Sequence, residues 1–199
     1  MPNGTYLKKK KTKRKKIMTE QTLTRHRLFV AWAYEKEEQW LTKMAAQGWQ
    51  LEEVGFLTHR FRKTQPQQMQ YQLDYQSLTK DNRDEYLSLF EESGWEHCNT
   101  YSSLWFYFRK PKTGDQEERI HTDNASRIKM LKRVLMTLII SGFPSWMMLF
   151  YLPILMKQVE TGFFPIVLQA IVIPITLILL YSSVRILTRI GALQKGLKQ

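Results

Sequence analysis

Two uncharged stretches dominate the hydrophobic pattern of the chain. Val134 to Met156 reads VLMTLIISGFPSWMMLFYLPILM, and Phe163 to Val184 reads FFPIVLQAIVIPITLILLYSSV. At about 1.5 Å per residue each crosses a bilayer core of about 30 Å with some tilt. The short connection KQVETG between them permits a tight turn and little else, which predicts an antiparallel two-helix transmembrane hairpin, helices over 134–156 and 163–184. Arg127, Lys129, Lys132 and Arg133 precede the first helix and Arg185, Arg189, Lys195 and Lys198 follow the second, whereas the connection holds only Lys157 and Glu160. Positive charge collects on cytoplasmic flanks, so both termini and everything before residue 134 are expected in the cytoplasm. Neither run contains Asp, Glu, Lys, Arg or His, and Gln169 is the most polar residue of the pair; anchoring and oligomerisation fit that better than ion passage.

Ahead of Val134 the pattern has shorter periods. Trp40, Leu41, Met44 and Ala45 share one face of a predicted helix over 35–49, with acidic residues in its first turn and Gly48 at its end. Tyr86, Leu87 and Phe90 do the same over 82–95, with Asn82 and Glu85 in capping-box spacing and Gly94 at the end. The two superimpose at an offset of 46: Trp40 on Tyr86, Leu41 on Leu87, Gly48 on Gly94, Trp49 on Trp95. FRK at 61–63 and again at 108–110 repeats one residue out of phase, as a single loop insertion would produce. Strand-like runs at 28–34 and 69–76 precede the helices, and runs at 49–57, 59–64, 95–101 and 104–110 come after them. The pattern predicts an α+β fold, a duplicated β-α-β-β domain over 23–112. Its economical form is a ferredoxin-like antiparallel sheet of about six strands with both helices on one face. Residues 113–133 read as a charged linker and the start of a juxtamembrane helix, and 185–199 as a basic cytoplasmic tail.

Charge adds a further segment. Of 199 residues, 30 are Lys or Arg and 18 Asp or Glu, a net charge of +12, and KKKKTKRKK at 8–16 alone carries eight of the positive charges. A run of like charge without apolar residues cannot form a core, so 1–22 is expected to be a disordered polybasic tail. The adjoining segment IMTEQTLTRHR is polar, which excludes a secretory signal peptide; Met18 is an alternative start to Met1. Such a tail suits anionic lipid better than nucleic acid, and no nucleic-acid partner is expected.

Candidate chemistry is sparse. Cys98 is the single cysteine, so no intramolecular disulfide can form. It stands next to His97, but neighbours on a strand point to opposite faces and His97 cannot readily activate it. His26, His59, His97 and His121 show no metal-ligand spacing. Glu52, Glu53, Glu91 and Glu92 lack a consistent partner, and alternation places Asp74 on the face opposite Tyr71, Leu73 and Tyr75, where solvent is the default. No phosphate loop or nucleophile elbow occurs, and neither catalysis, a cofactor nor a metal is expected. Six Trp, nine Tyr and ten Phe exceed what a small helix-on-sheet core needs. In LWFYFRK both faces of the strand must meet something other than water. Trp32, Trp105 and Tyr107 are the candidates for an exposed aromatic surface that takes a ligand or a partner.

EKEEQWLTKMAAQGWQL, with FRK, YQLDY, EYLSLFEESGW and WFYFRK after it, resembles the bacterial membrane-associated family called domain of unknown function 2812, found mainly in Firmicutes, over about residues 28–130. The resemblance implies a cytoplasmic domain fused to a few membrane helices in a bacterial cell membrane, and frequent gene neighbourhood with PadR-like regulators. It implies no catalytic residue, and the polybasic tail is not part of the family pattern. Together these features point to a membrane-tethered cytoplasmic sensory or protein-interaction module without catalysis. A self-assembling, homo-oligomeric membrane scaffold and a tail-driven binder of anionic lipid are the alternatives.

Overall fold

The computed structural model describes residues 21–112, 120, 124–158 and 163–197. The polybasic tail as far as residue 20, both candidate start methionines, His121, most of the charged linker, Glu160 and Lys198 lie outside the described residues. The order is β1 (Thr22–His26), a 3-10 turn (Ala31–Ala33), α1 (Tyr34–Ala46), β2 (Trp49–Gly55), β3 (Thr58–Lys63), β4 (Met69–Tyr75), α2 (Lys80–Glu92), β5 (Glu96–Tyr101), β6 (Trp105–Pro111), α3 (Asn124–Gln158) and α4 (Phe163–Lys195). This is an α+β domain with a helical hairpin at its C-terminal end.

The strands form two antiparallel three-stranded sheets, ordered β1-β3-β2 and β4-β6-β5, rather than one sheet of six. Both edge strands that follow a helix carry a register break, at Glu52 between Leu51 and Glu53 and at Cys98 between His97 and Asn99. The two broken strands lie side by side, Asn99 Nδ2 donating to the Glu52 carbonyl at 3.4 Å. A bulge bends and twists its strand. The sheets therefore meet without continuing the ladder and cup α1 between them.

Tyr34, Glu37, Leu41, Met44 and Ala45 are the buried positions of α1, one helical face. The helix stops at Gly48, whose φ is +81° and on which a Cβ would lie 2.7 Å from the Thr64 carbonyl oxygen. Only glycine fits both demands. Leu51 and Phe61 of the first sheet and Met69, Tyr71, Leu73, Tyr75 and Tyr107 of the second share one core with this face. α2 packs elsewhere, and the expectation of both helices on one face is corrected here. Tyr86, Leu87 and Phe90 cover Trp95, Phe106 and Phe108 on the reverse side of the second sheet, with Phe90 stacked on Phe108 at 4.4 Å. Alternation along β6 sends Tyr107 to α1 and Phe106 and Phe108 to α2, which is how LWFYF avoids water on both faces.

The first strand also differs from its expected place. Residues 28–34 form the 3-10 turn and the entry to α1, while the strand is TLTRH at 22–26. LFVAWAY is apolar throughout and has no period to read, whereas β1 is an exposed edge strand with Leu23 as its only partly buried residue. The free edge of β4 is closed by side chains of α1: the Tyr71 N–H donates to Thr42 Oγ1 at 3.2 Å and the Leu73 N–H to Glu38 Oε1 at 2.8 Å. A protected edge does not template pairing with another chain.

α3 and α4 have 35 and 33 residues, and both contain stretches long and apolar enough to cross a membrane. Their charged ends, Asn124–Arg133 and Arg185–Lys195, extend about 15 Å beyond the uncharged runs. There Ile128, Met130, Leu131, Val134, Ile186 and Ile190 join the same core as α1 and β4. Farther along, Ile140, Phe143, Phe150, Ile171, Leu177 and Ile178 are exposed, as lipid-facing side chains would be. Gln169 is half-buried on α4.

Candidate functional site

A cleft with a cavity of about 140 Å³ opens where the segment after β1, the β2–β3 turn and the ends of β5 and β6 converge on the start of α1. Phe29, Tyr34, Val54, Tyr101 and Trp105 wall it, and Glu37, His59 and Tyr107 form its polar floor. All three floor residues are buried. Glu37 Oε1 accepts from the Tyr107 hydroxyl at 2.9 Å and faces His59 Nε2 at 3.0 Å. Each partner comes from a different sheet, so this carboxylate joins both sheets to α1. Burial, and then the Glu37 charge, push the Tyr107 hydroxyl well above its ordinary value of 10 and keep it a donor.

His59 is held edge-on by Trp40 and Phe29, with ring centroids 4.9 and 5.7 Å away. Its second nitrogen, Nδ1, is buried without a hydrogen-bond partner among the described residues. Such a group costs free energy until a donor or acceptor reaches it. At the mouth the Arg27 guanidinium lies over Phe29 and Trp40 at 5.0 and 5.4 Å. The cleft thus offers aromatic walls, a buried carboxylate and a cation at its rim.

The three aromatic residues singled out from sequence do not form one exposed face. Trp105 lines the cleft and packs on Tyr75 at 5.0 Å. Tyr107 borders it too, but is only 3% exposed and serves as floor. Trp32 sits apart, its ring edge-on to Tyr181 of α4 at 5.8 Å. Glu37 and His59 were not singled out. The available signal was a charge on the apolar face of α1, at the spacing of Tyr34, Leu41 and Met44, and a histidine two positions before the buried Phe61.

Asp74 is not in solvent: it is 1% exposed. It accepts from the Tyr86 hydroxyl at 2.7 Å, Gln76 Nε2 at 2.9 Å, the Tyr75 N–H at 2.8 Å and Arg133 at 3.3 Å. Arg133 also donates to the Tyr75 carbonyl at 2.8 Å. The expected solvent face of β4 is covered at Asp74 by Tyr86 of α2 and at Gln72 by Ile120, whose N–H donates to Gln72 Oε1 at 2.6 Å, so these polar residues are buried and bonded instead. Glu52 and Glu53 do have a partner, both pairing with Arg60 on the neighbouring strand. A larger polar hollow of about 410 Å³ between α1 and β4 is lined by Glu35, Glu38, Lys43, Gln70, Lys112 and Arg127. Glu35 there pairs with Arg127 of α3 and Arg189 of α4.

His97 and Cys98 fall on opposite faces of β5. The imidazole lies 2.7 Å from Thr100 Oγ1 and near Phe106 and Phe108, while Cys98 Sγ donates to the Tyr107 carbonyl at 3.2 Å. Burial pushes the thiol up to about 12. At pH 8 the thiolate fraction is then on the order of 10⁻⁴. Iodoacetamide should leave the folded protein unmodified and react after denaturation; rapid alkylation of the folded chain would contradict this environment.

No curated protein and no solved structure matches the chain. The profile of one family does match, over residues 33–143, from the residue before α1 through the domain and into α3. The matched range includes Arg127 and Arg133 and covers more than half of the chain, which places this protein in the family described as protein of unknown function (DUF2812).

Proposed function

We propose that this protein is a membrane-tethered sensory or interaction module. Its two apolar helices anchor it in a bacterial cell membrane with both ends of the chain in the cytoplasm. Its α+β domain holds a small apolar or amphiphilic ligand in the cleft above Glu37, His59 and Tyr107. The reading assigns it no covalent chemistry. One observation carries the proposal: a residue of the cleft wall, Tyr34, touches the bases of both helices. Tyr34 lines the cleft, lies 6.5 Å from Trp105, takes a hydrogen bond from Arg127 Nε at 3.3 Å and sits under the Arg189 guanidinium at 5.8 Å. Occupancy that moves Tyr34, directly or through Trp105, acts on the bases of α3 and α4, as a two-state element responding to a ligand requires.

The size supports a small guest, since a cavity of about 150 Å³ accommodates a benzene-sized molecule. The test is a thermal-shift screen of small aromatic and amphiphilic compounds on the detergent-solubilised full chain and on Trp105→Ala. At a concentration of about 100 Kd a cleft ligand adds about 2.7 kcal/mol to wild type. The variant should gain much less. Compounds that stabilise both proteins equally bind elsewhere, and a screen with only such compounds sinks the cleft as the site.

A further inference from the structure

Three large apolar side chains stand in the open where the domain approaches the helices. Leu28 is 67% exposed, Phe56 76% and Leu57 39%. The Arg27 N–H donates to the Leu57 carbonyl at 3.0 Å, so Leu28 adjoins the β2–β3 turn and the three form a patch. Single exposed apolar residues need no explanation; a group of them does. The turn also departs from the residues its geometry favours, because Leu57 has φ +61°, a conformation in which glycine or asparagine is unstrained.

Strand direction says which way the patch faces. β1 ends at His26 opposite Thr58, and β2 ends at Gly55, so the turn and the end of β1 lie together. α1 starts from the same end, because Glu37 in its first turn reaches His59. β4 ends at Tyr75, which Arg133 of α3 holds, and Trp105 packs on that tyrosine while lining the cleft beside Phe56 and Leu57. Trp32, one helical turn's worth of chain after Leu28, rests on Tyr181, which lies inside the second uncharged run and shortly before Arg185. The helical rise from Tyr181 to Arg185 is about 6 Å. The patch therefore shares the end of the domain that reaches the border of the apolar spans.

We infer that Leu28, Phe56 and Leu57 insert into the lipid leaflet on the domain's side of the membrane, giving the domain a lipid contact of its own beside α3 and α4. The inference rests on the reading of α3 and α4 as membrane-spanning. Its occupant is argued from that continuity and from the rim: Arg25, His26 and Arg27 are exposed immediately before Leu28. Apolar side chains edged by basic ones are the chemistry that an anionic bilayer surface accepts. The contact also sets the cleft mouth, which Leu28, Phe56 and Leu57 line, at the lipid surface.

The test places an environment-sensitive NBD label at Phe56→Cys in the full chain, reconstituted in nanodiscs of phosphatidylcholine and phosphatidylglycerol. The label is placed in a Cys98→Ala background, so that the half-buried native thiol does not compete for it. Phe150→Cys, at an exposed position of α3, is labelled in parallel. A side chain held about 5–10 Å into the headgroup boundary should show a blue-shifted emission, about twofold quenching by lipid bearing a shallow doxyl group, and little quenching by aqueous iodide. Iodide quenching at position 56, with doxyl quenching at 150, overturns the inference and leaves the spanning helices intact. Protection at 56 from both quenchers also overturns it, because protein, such as a second copy of the chain, then covers the turn. Absence of doxyl quenching at both positions removes the membrane reading itself, and the inference with it.

Discussion

Asp74→Ala is expected to lower the thermal midpoint of the detergent-solubilised protein by more than about 10 °C, corresponding to about 3 kcal/mol in a domain of this size. The carboxylate is buried and gathers three side-chain donors, the Tyr86 hydroxyl of α2, Gln76 Nε2 just past the end of β4, and Arg133 of α3. Removing one partner of a buried ionic cluster costs about 3–5 kcal/mol, chiefly because the other charge is stranded. The lower end applies here, since the Arg133 side chain keeps 35% of its exposure and can recover hydration. Tyr86, half-buried on α2, is left with a hydroxyl that has lost its acceptor. Burial, and then the Asp74 charge, push its hydroxyl far above the ordinary tyrosine value, so it remains a donor that needs an acceptor. Tyr86→Phe, which removes the donor and leaves Asp74 its other partners, should cost about 1–2 kcal/mol. The two variants also differ in where they loosen the molecule. Asp74→Ala removes one of the two holds on Arg133, leaving its bond to the Tyr75 carbonyl, and should speed limited trypsin digestion in the Lys132–Arg133 region of α3, whereas Tyr86→Phe should not. A midpoint within a degree or two of wild type for Asp74→Ala would mean that the domain and α3 are not tied through this residue.

Asp74 also shows where a single sequence stops being readable. The alternation of β4 is plain in MQYQLDY, and it gives the correct strand with Tyr71, Leu73 and Tyr75 on one face. Whether Asp74 on the other face meets water depends on where α2 goes, and α2 is placed by contacts such as that between Tyr86 and Phe106, which are distant in sequence and have ring centroids 5.1 Å apart. The helix ends were legible because Gly48 and Gly94 both adopt the positive φ that their position after a helix demands. The start of α2 was not: the helix begins at Lys80 after Thr79, with Asn82 already inside its first turn and no side-chain cap. The one-residue slip between the FRK segments corresponds to turns of different length, Phe56-Leu57 after β2 and Ser102-Ser103-Leu104 after β5. The two uncharged runs were the strongest signal of all, because hydrophobicity sustained over about 20 residues has few soluble explanations. What they hid was that α3 and α4 continue past the apolar runs and supply Met130, Leu131 and Ile186 to the core of the α+β domain. Of the cleft, the aromatic walls were visible as composition. Its floor was not, because Glu37 and His59 acquire meaning only when α1 lies against both sheets.

Tyr107→Ala is expected to unfold the domain, while Trp105→Ala is not. Tyr107 and Trp105 lie on the same face of β6 and border the same cleft, yet their surroundings differ. Truncating a fully buried aromatic side chain costs about 3–5 kcal/mol, and here Glu37 also loses the donor at 2.9 Å. Trp105 is only half-buried against Tyr34 and Tyr75, so its removal should cost about 1–2 kcal/mol. A double Ala variant at 105 and 107 therefore reports on stability alone, and Trp105→Ala is the variant with which a ligand can be tested. Tyr107→Phe isolates the hydroxyl, which donates to a buried carboxylate and should contribute about 1.5–3 kcal/mol. pH supplies a second readout. The folded-state value of Tyr107 is raised above the ordinary 10, by burial first and by Glu37 next. The hydroxyl's contribution is accordingly complete below pH 10 and declines as pH rises above it, because the unfolded chain can ionise where the folded one cannot. The stability gap between wild type and Tyr107→Phe should be constant from pH 7 to pH 9 and shrink beyond about pH 10, as measured by denaturant titration followed through tryptophan fluorescence. A gap that instead widens above pH 10 would require a tyrosinate in the folded cleft, and the floor would have to be redrawn with Glu37 no longer facing Tyr107.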